Sequence, residues 1–410
     1  MSKGETLKIT AMGHRGEGVA EGARGPVYVP FTLPGESVRV AIDGKRGRLL
    51  EVLEPGPDRV DPPCPHFGRC GGCAVQHWRH GAYSGWKRGL VETALRHRHV
   101  EAPVAEVIDA HGAGRRRVTL HVLFAKDRVL AGFMEGRSHR LLDLDRCPIL
   151  APELAEAPAI ARVLGAAVKG HAKALDILIT ASDTGLDCDL RGRIPDHPDI
   201  QMDLGEAAER LDLARVTING YLGIERRMPM LAAGKARIPL PPGAFLQATA
   251  QGEETLARLV SEAAGEASRV ADLYCGAGPF ALRLAETATV MAVDDNEPAL
   301  KALDRAARAA PGLKPVNTEI RDLARNPLTP RELDRHDAVL FDPPRAGAEA
   351  QARELAQSKV PTVIAVSCDP ATLARDLMIL LEGGYRIESI TPVDQFKYAA
   401  HVETVAVLKR

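Results

Sequence analysis

The chain is 410 residues long, enough for two or three domains that each bury a core. Its 45% hydrophobic and 26% charged content is ordinary for a soluble globular protein, and a net charge of -1 excludes a globally basic nucleic-acid binder. No apolar run reaches spanning length, and "MSKGETLKI" lacks a signal peptide's hydrophobic core, so a cytoplasmic protein with reduced thiols and no membrane partner is expected.

Residues 5 to 55 read as short strands broken by glycine turns: "TLKITAMG", "GVAEGARGPVYVPF" and "ESVRVAIDGKRGRLLEVLEP". They predict a small barrel of the oligonucleotide-binding type over residues 1–57, followed by a proline-rich linker at positions 55, 57, 62 and 63. "CPHFGRCGGC" (64 to 73) then packs three of the seven cysteines into one stretch; Cys147, Cys188, Cys275 and Cys368 are scattered. An odd cysteine count in a reducing compartment argues against disulfides and for a metal. The spacing alone fits either zinc or an iron–sulfur cluster. Cys188 reads as a buried small hydrophobe.

Residues 61 to 147 carry 14 Lys+Arg against 9 Asp+Glu and 8 of the 13 histidines, including "RHRHV" (96 to 100) and "GRRRV" (114 to 118). Such a stretch either faces phosphates or is a solvated charged face. "GWKRGLVETALRH" predicts a helix, and "RRRVTLHVLFAKDRVLAGFMEG" and "ALDILITASDTGLDCDLRG" predict hairpins, giving an α+β domain over residues 58–237.

From residue 238 strands and helices alternate. "SRVADLY", "ATVMAVD", "KPVNTEI", "HDAVLFD" and "PTVIAVS" are strands, with helices such as "GPFALRLAE", "EPALKALDRAARAA" and "PATLARDLMILLE" between them. This predicts an α/β domain with a mainly parallel sheet over residues 238–410, closed by an antiparallel edge hairpin from "YRIESITPV" and "HVETVAVLK". In such a sheet, ligands gather beyond the strand C-termini. "DLYCGAGPF" (272 to 280) stands at the first, with Gly276 and Gly278 opening a helix and Asp294 following at the next strand end. An acid at that distance suits ribose hydroxyls, and the absence of a dinucleotide fingerprint favours an adenosyl ligand such as S-adenosylmethionine over NAD. "FDPPRAG" (341 to 347) sets Asp342 at a stiff corner, as a crevice acid or a helix cap. "VSCDPATLARD" (366 to 376) puts Cys368 just before a helix whose N-terminus favours thiolate, as a nucleophile or a buried apolar residue. "HVETV" (401 to 405) puts Glu403 on an alternating strand, where burial raises a carboxyl towards base duty.

"GAFLQAT", "DLYCGAGPF", "FDPPRAG", "VSCDPATLARD" and "HVETV" occur in the order seen in the RNA 5-methyluridine (uracil-C5) methyltransferase family, which the chain resembles over nearly its whole length. "GEGVAEGARGPVYVPFTLPGESVRV" resembles the TRAM barrel of its ribosomal-RNA members, and C-x5-C-x2-C with Cys147 resembles their iron–sulfur site. The resemblance implies a Rossmann-like class I methyltransferase domain behind a TRAM barrel and an iron–sulfur domain. It implies Cys368 as nucleophile and Glu403 as base. Gln247, Tyr274, Asp294, Asp322 and Asp342 would line the cofactor and target-base pocket, and Phe245 would stand beside a flipped uracil. Cys64, Cys70, Cys73 and Cys147 would hold a [4Fe–4S] cluster.

The implied activity is S-adenosylmethionine-dependent methylation of uracil C5 in RNA by a monomer, with 23S ribosomal RNA as target. Transfer RNA, a cytosine-C5 reaction and an inactive RNA-binding iron–sulfur protein are the rivals. The chain departs from the family at Asp369 (commonly Asn), Pro279 (often Asn) and Asp294 (commonly Glu).

Overall fold

The computed structural model describes residues 4–136 and 138–410; Arg137, counted above in the basic stretch, and residues 1–3 lie outside the described residues. Strands β1 (Glu5–Met12), β2 (Glu17–Gly22), β3 (Gly25–Pro30), β4 (Ser37–Asp43) and β5 (Arg46–Glu54) close a barrel in the order β1-β2-β3-β5-β4. Alternation drives closure: Leu7, Ile9, Val27, Val29, Val38 and Val40 point inward and form one core. The predicted barrel forms.

After the linker come α1 (His80–His97) and β6 (Ile108–Asp109), then a seven-stranded sheet. Its elements are β7 (Arg117–Phe124), β8 (Val129–Met134), β9 (Leu141–Asp143), α2 (Ala157–Ala167), β10 (Ala174–Ser182), β11 (Gly185–Gly192), α3 (Pro198–Arg210), β12 (Arg215–Ile218) and β13 (Tyr221–Glu225). Both predicted hairpins are present, as β7–β8 and β10–β11. Val118, Leu120 and Val122 of β7 turn one face towards Ile160 and Leu164 of α2 and towards Ile200 and Leu204 of α3. Cys188 is fully buried in this core. A short hairpin, β14 (Met230–Ala233) and β15 (Ala236–Pro239), leads into α4 (Ala250–Ala264).

The C-terminal sheet is built from β16 (Arg269–Leu273), β17 (Thr289–Asp294), β18 (Val316–Ile320), β19 (Ala338–Phe341) and β20 (Thr362–Ser367), all parallel. Helices α5 (Pro279–Leu284), α6 (Glu297–Ala309), α7 (Pro330–Leu333), α8 (Glu349–Gln357) and α9 (Pro370–Glu382) intervene. The antiparallel pair β21 (Arg386–Asp394) and β22 (Glu403–Lys409) follows, and the sheet order is β18-β17-β16-β19-β20-β22-β21-β6. Local chemistry starts the helices: Asn296 Oδ1 accepts from Ala299 N at 3.1 Å before α6, and Asp369 Oδ1 accepts from Ala371 N at 2.9 Å before α9.

Two sequence expectations change here. The predicted edge hairpin is not the edge, because β6 adds in parallel beside β21. Segment 80–109, expected in the middle domain, packs on the C-terminal one. Val91, Leu95, Val100 and Val104 share a core with Leu377, Leu380 and Ile390. The middle sheet is thus an insertion within the C-terminal domain. Among the described residues, no helix is long and apolar enough to cross a membrane.

Candidate functional site

The strand C-termini of the last sheet converge on one crevice. Tyr274 takes a left-handed backbone conformation (φ 61°), an unusual state for a tyrosine, and starts the turn that Gly276 (φ 54°) and Gly278 (φ 78°) complete. A Cβ at Gly276 would meet nothing within 4 Å, so this backbone lies bare, whereas one at Gly278 would strike Leu303 at 2.4 Å. Gln247, Tyr274, Gly276, Pro279 and Asp342 line one pocket with Phe245, which is 73% exposed. Asp294 Oδ2 accepts from Gly276 N at 2.8 Å, fixing the carboxylate against the glycine turn. Asp322 follows β18; its Oδ1 accepts from Ala324 N (3.0 Å) and Arg325 N (3.2 Å), and it is not among the residues lining the pocket.

A buried amide chain joins the acids. Gln247 Nε2 donates to Asp342 Oδ2 (3.0 Å), and Gln395 Nε2 donates to Gln247 Oε1 (2.6 Å) and Glu403 Oε1 (3.1 Å). Gln395 Oε1 accepts from Ala248 N (2.8 Å), so its amide can point only one way. Glu403 Oε2 is buried with no hydrogen-bond partner among the described residues. Asp342 therefore bonds a side chain across the crevice rather than capping a helix.

Glu403 is 3% exposed on β22, which is buried on both faces between β20 and β21. The expected alternation is absent, because a central strand has no solvent side. Desolvation, then the Asp342 charge, pushes Glu403 up to about 8; desolvation pushes Asp342, on the pocket wall, up to about 7. In the unfolded chain both ionise near about 4, so the folded state loses stability as pH rises from there through 7 to 8. Glu403→Gln, which cannot ionise, is therefore expected to melt above wild type at about pH 9 and level with it at about pH 4. A melting difference independent of pH would refute the burial of this charge.

Cys368 sits half-buried between β20 and α9. The expected low thiol pKa is not found. Burial, then the charges of Glu403 and Asp342, push Cys368 up to about 11, opposed by Arg345. The amides of the α9 N-terminus are taken by Asp369, which also accepts from Thr372 N at 3.2 Å, and so give the thiol no help. An Asn at 369 would offer the same oxygen, so this departure keeps the cap.

Sequence reasoning missed what holds the loop before Glu403. Lys87 of α1, 0% exposed, donates to Asp394 Oδ1 (2.7 Å), Phe396 O (3.2 Å) and His401 O. Tyr83 OH donates to Asp394 Oδ2 (2.5 Å), and Ala74 N, next to Cys73, donates to Tyr398 O (2.8 Å). These contacts span the loop before Glu403. Tyr83, Lys87, Val91 and Leu95 recur every four residues, so a lysine in an apolar stripe was the available signal.

Cys64, Cys70, Cys73 and Cys147 line a single cavity of about 390 Å³, which Leu246 and Ala248 wall on the crevice side. They are not drawn tightly together: among the described residues, no group of three or more His, Cys, Asp or Glu is arranged to hold a metal ion. The "GRRRV" arginines do not form a phosphate face. Arg115 and Arg117 line the thiol cavity. Arg116 turns the other way, donating to Gln247 O (3.0 Å) and Glu253 Oε2 (2.5 Å). Arg96, His97, Arg98 and His99 are exposed.

A parallel sheet in this order, with a glycine turn after β16 and an acid ending β17, defines a Rossmann-like methyltransferase domain. Residues 312–410 match the family model described as tRNA (Uracil-5-)-methyltransferase. An uncharacterized RNA methyltransferase of Brucella suis biovar 1 is 46% identical over 409 residues, covering 100% of this chain and 99% of the relative. The 23S rRNA (uracil(1939)-C(5))-methyltransferase RlmD of Chromohalobacter salexigens is 34% identical, covering 98% of this chain and 89% of the relative. In fold, the chain is similar to the tRNA (uracil-54, C5)-methyltransferase of Pyrococcus abyssi solved with S-adenosyl-L-homocysteine, with TM-score 0.74 and 22% identity over 98% of this chain and 100% of that one. The chain belongs to the RNA uracil-C5 methyltransferase family and is an S-adenosylmethionine-dependent RNA (uracil-C5)-methyltransferase.

Proposed function

We propose that this enzyme methylates uridine C5 in 23S ribosomal RNA through a covalent adduct between Cys368 and uracil C6, with Glu403 as the base. The observation that carries the proposal is the buried, unpartnered Glu403 Oε2, on the amide chain shared with Gln247 and Asp342 and electrostatically coupled to Cys368. Addition of the Cys368 thiolate to C6 moves the C5–C6 π electrons onto C5 and O4, which makes C5 nucleophilic. S-adenosylmethionine supplies the electrophilic methyl group. Glu403 Oε2 then takes the C5 proton, the C5–H electrons rebuild the double bond, and the thiolate leaves. Tyr274, the bare Gly276 backbone, Asp294 and Asp342 suit an adenosyl ligand, with Asp322 at the next strand end along. Phe245 gives an exposed ring beside Gln247 for a base taken out of its stack.

The ribosomal target rests on the full-length likeness to the 23S enzyme and on the barrel, a fold suited to single-stranded RNA. Mapping 5-methyluridine in cells lacking the protein tests it: the modification should vanish from 23S rRNA and persist in transfer RNA. Loss from transfer RNA instead would replace the target while leaving the reaction.

The same proposal assigns Cys64, Cys70, Cys73 and Cys147 to a [4Fe–4S] cluster with a structural role, since methyl transfer needs no electron. Four thiols around a roomy cavity suit a polynuclear group better than one ion, whose thiolates must all approach within about 2.3 Å of it. Protein purified anaerobically should be brown, with about four irons per chain. Cys70→Ser should lose the colour and weaken RNA binding more than cofactor binding. A colourless preparation with one stoichiometric zinc would defeat the cluster.

A further inference from the structure

Two guanidinium groups in the wall of the thiol cavity each hold one buried nitrogen that finds no partner among the described residues. Arg115 Nε and Arg117 Nη2 are both buried with no hydrogen-bond partner among the described residues, and both residues line the cavity with the four cysteines. Among the described residues Arg117 has no carboxylate of its own: Nε donates to Thr180 Oγ1 (3.1 Å), while both oxygens of nearby Asp187 are taken by Arg215 at 2.8 Å. A buried cation with an unused N–H is costly unless something anionic completes it. Four free thiols provide no such charge. Four thiolates around a [4Fe–4S] core of charge +2 sum to -2, matching two guanidinium groups in size and opposite in sign.

We infer that Arg115 and Arg117 are the counter-charges and N–H donors of the group held by Cys64, Cys70, Cys73 and Cys147, and are not contacts for RNA phosphate. This rests on the cluster reading above. Alternation along the chain makes it possible, since Arg115 and Arg117 face the cavity while Arg116 between them is committed to Gln247 and Glu253. The two arginines differ in reach. Arg115 also lies over the Phe396 ring at 5.7 Å, in the loop that leads to Glu403, so Arg117 is the cleaner probe.

N–H donors and positive charge near the sulfurs favour the cluster state with the extra electron. The experiment compares wild type, Arg117→Met and Arg117→Lys, purified anaerobically and titrated electrochemically against their visible and electron-paramagnetic-resonance signals. Arg117→Met should make one-electron reduction at least about tenfold less favourable, a midpoint about 59 mV lower, and shorten the cluster's lifetime in air. Affinity for an rRNA fragment should stay within about threefold, since the residue meets no phosphate. Arg117→Lys keeps the charge and loses the fork, and should shift less in the same direction. If Arg117→Met does not fold, the lysine variant carries the test. A brown variant with an unchanged midpoint and air lifetime overturns the inference, most directly if RNA affinity falls instead. Wild type containing zinc and no iron overturns the cluster reading itself, and that result is visible before any variant is made.

Discussion

Cys368→Ala is expected to lower methyl transfer by about three orders of magnitude or more, while S-adenosylmethionine binds within about twofold of wild type. The side chain is half-buried at a strand–helix junction, so its removal leaves only a small packing defect. The chemical loss is of another scale, because without addition at C6 the C5 carbon is too weak a nucleophile to take the methyl group. The environment adds a second signature. Burial and two nearby carboxylates hold the thiol up at about 11, so little thiolate exists in the free enzyme at neutral pH. Single-turnover rates should therefore climb with pH through the neutral range, as Glu403 becomes available to take protons and Cys368 more readily loses one. Activity of the alanine variant within about tenfold of wild type would end the covalent mechanism.

Glu403→Gln is expected to divide the reaction at its last step. Addition and methylation still proceed, but nothing accepts the C5 proton, so the Cys368–C6 bond persists. A protein–RNA species stable to denaturing electrophoresis should accumulate to near one RNA per active site, with turnover falling by about two to four orders of magnitude. The substitution suits the site: Gln395 Nε2 still finds an oxygen acceptor at 403, so the chain through Gln247 to Asp342 stays intact. Adding Cys368→Ala should abolish the adduct. Normal turnover with nothing trapped would transfer the base role to another group.

The strands of the C-terminal sheet were legible because buried parallel strands write themselves as short apolar runs, such as the six residues of β20, every one buried. The barrel was legible through alternation and glycine turns. Less visible was anything set by contacts between distant segments. The pairing of β6 with β21 involves two residues and carries no periodic signal. Gln395 reads as a polar residue in a loop until its amide is seen between Gln247 and Glu403. The Cys368 thiol was misjudged because a helix N-terminus was visible, whereas Asp369 occupying its amides and two buried acids raising its pKa were not. The arginine run shows the same limit: composition reveals three positive charges, and only strand geometry reveals that they divide between two sites.

The insertion of the middle sheet into the C-terminal domain has a consequence for biogenesis. Helix α1 leaves the ribosome with Val91 and Leu95 facing outward and Lys87 without its counter-ion, since Asp394 is synthesised about three hundred residues later. Until then this apolar strip has no permanent cover, and the nascent chain is open to chaperone capture or to association with its neighbours. The loop before Glu403 acquires these anchors only once residues 394–401 have met α1. A polypeptide stalled before residue 394 would lack both the counter-ion of Lys87 and the loop that leads to Glu403.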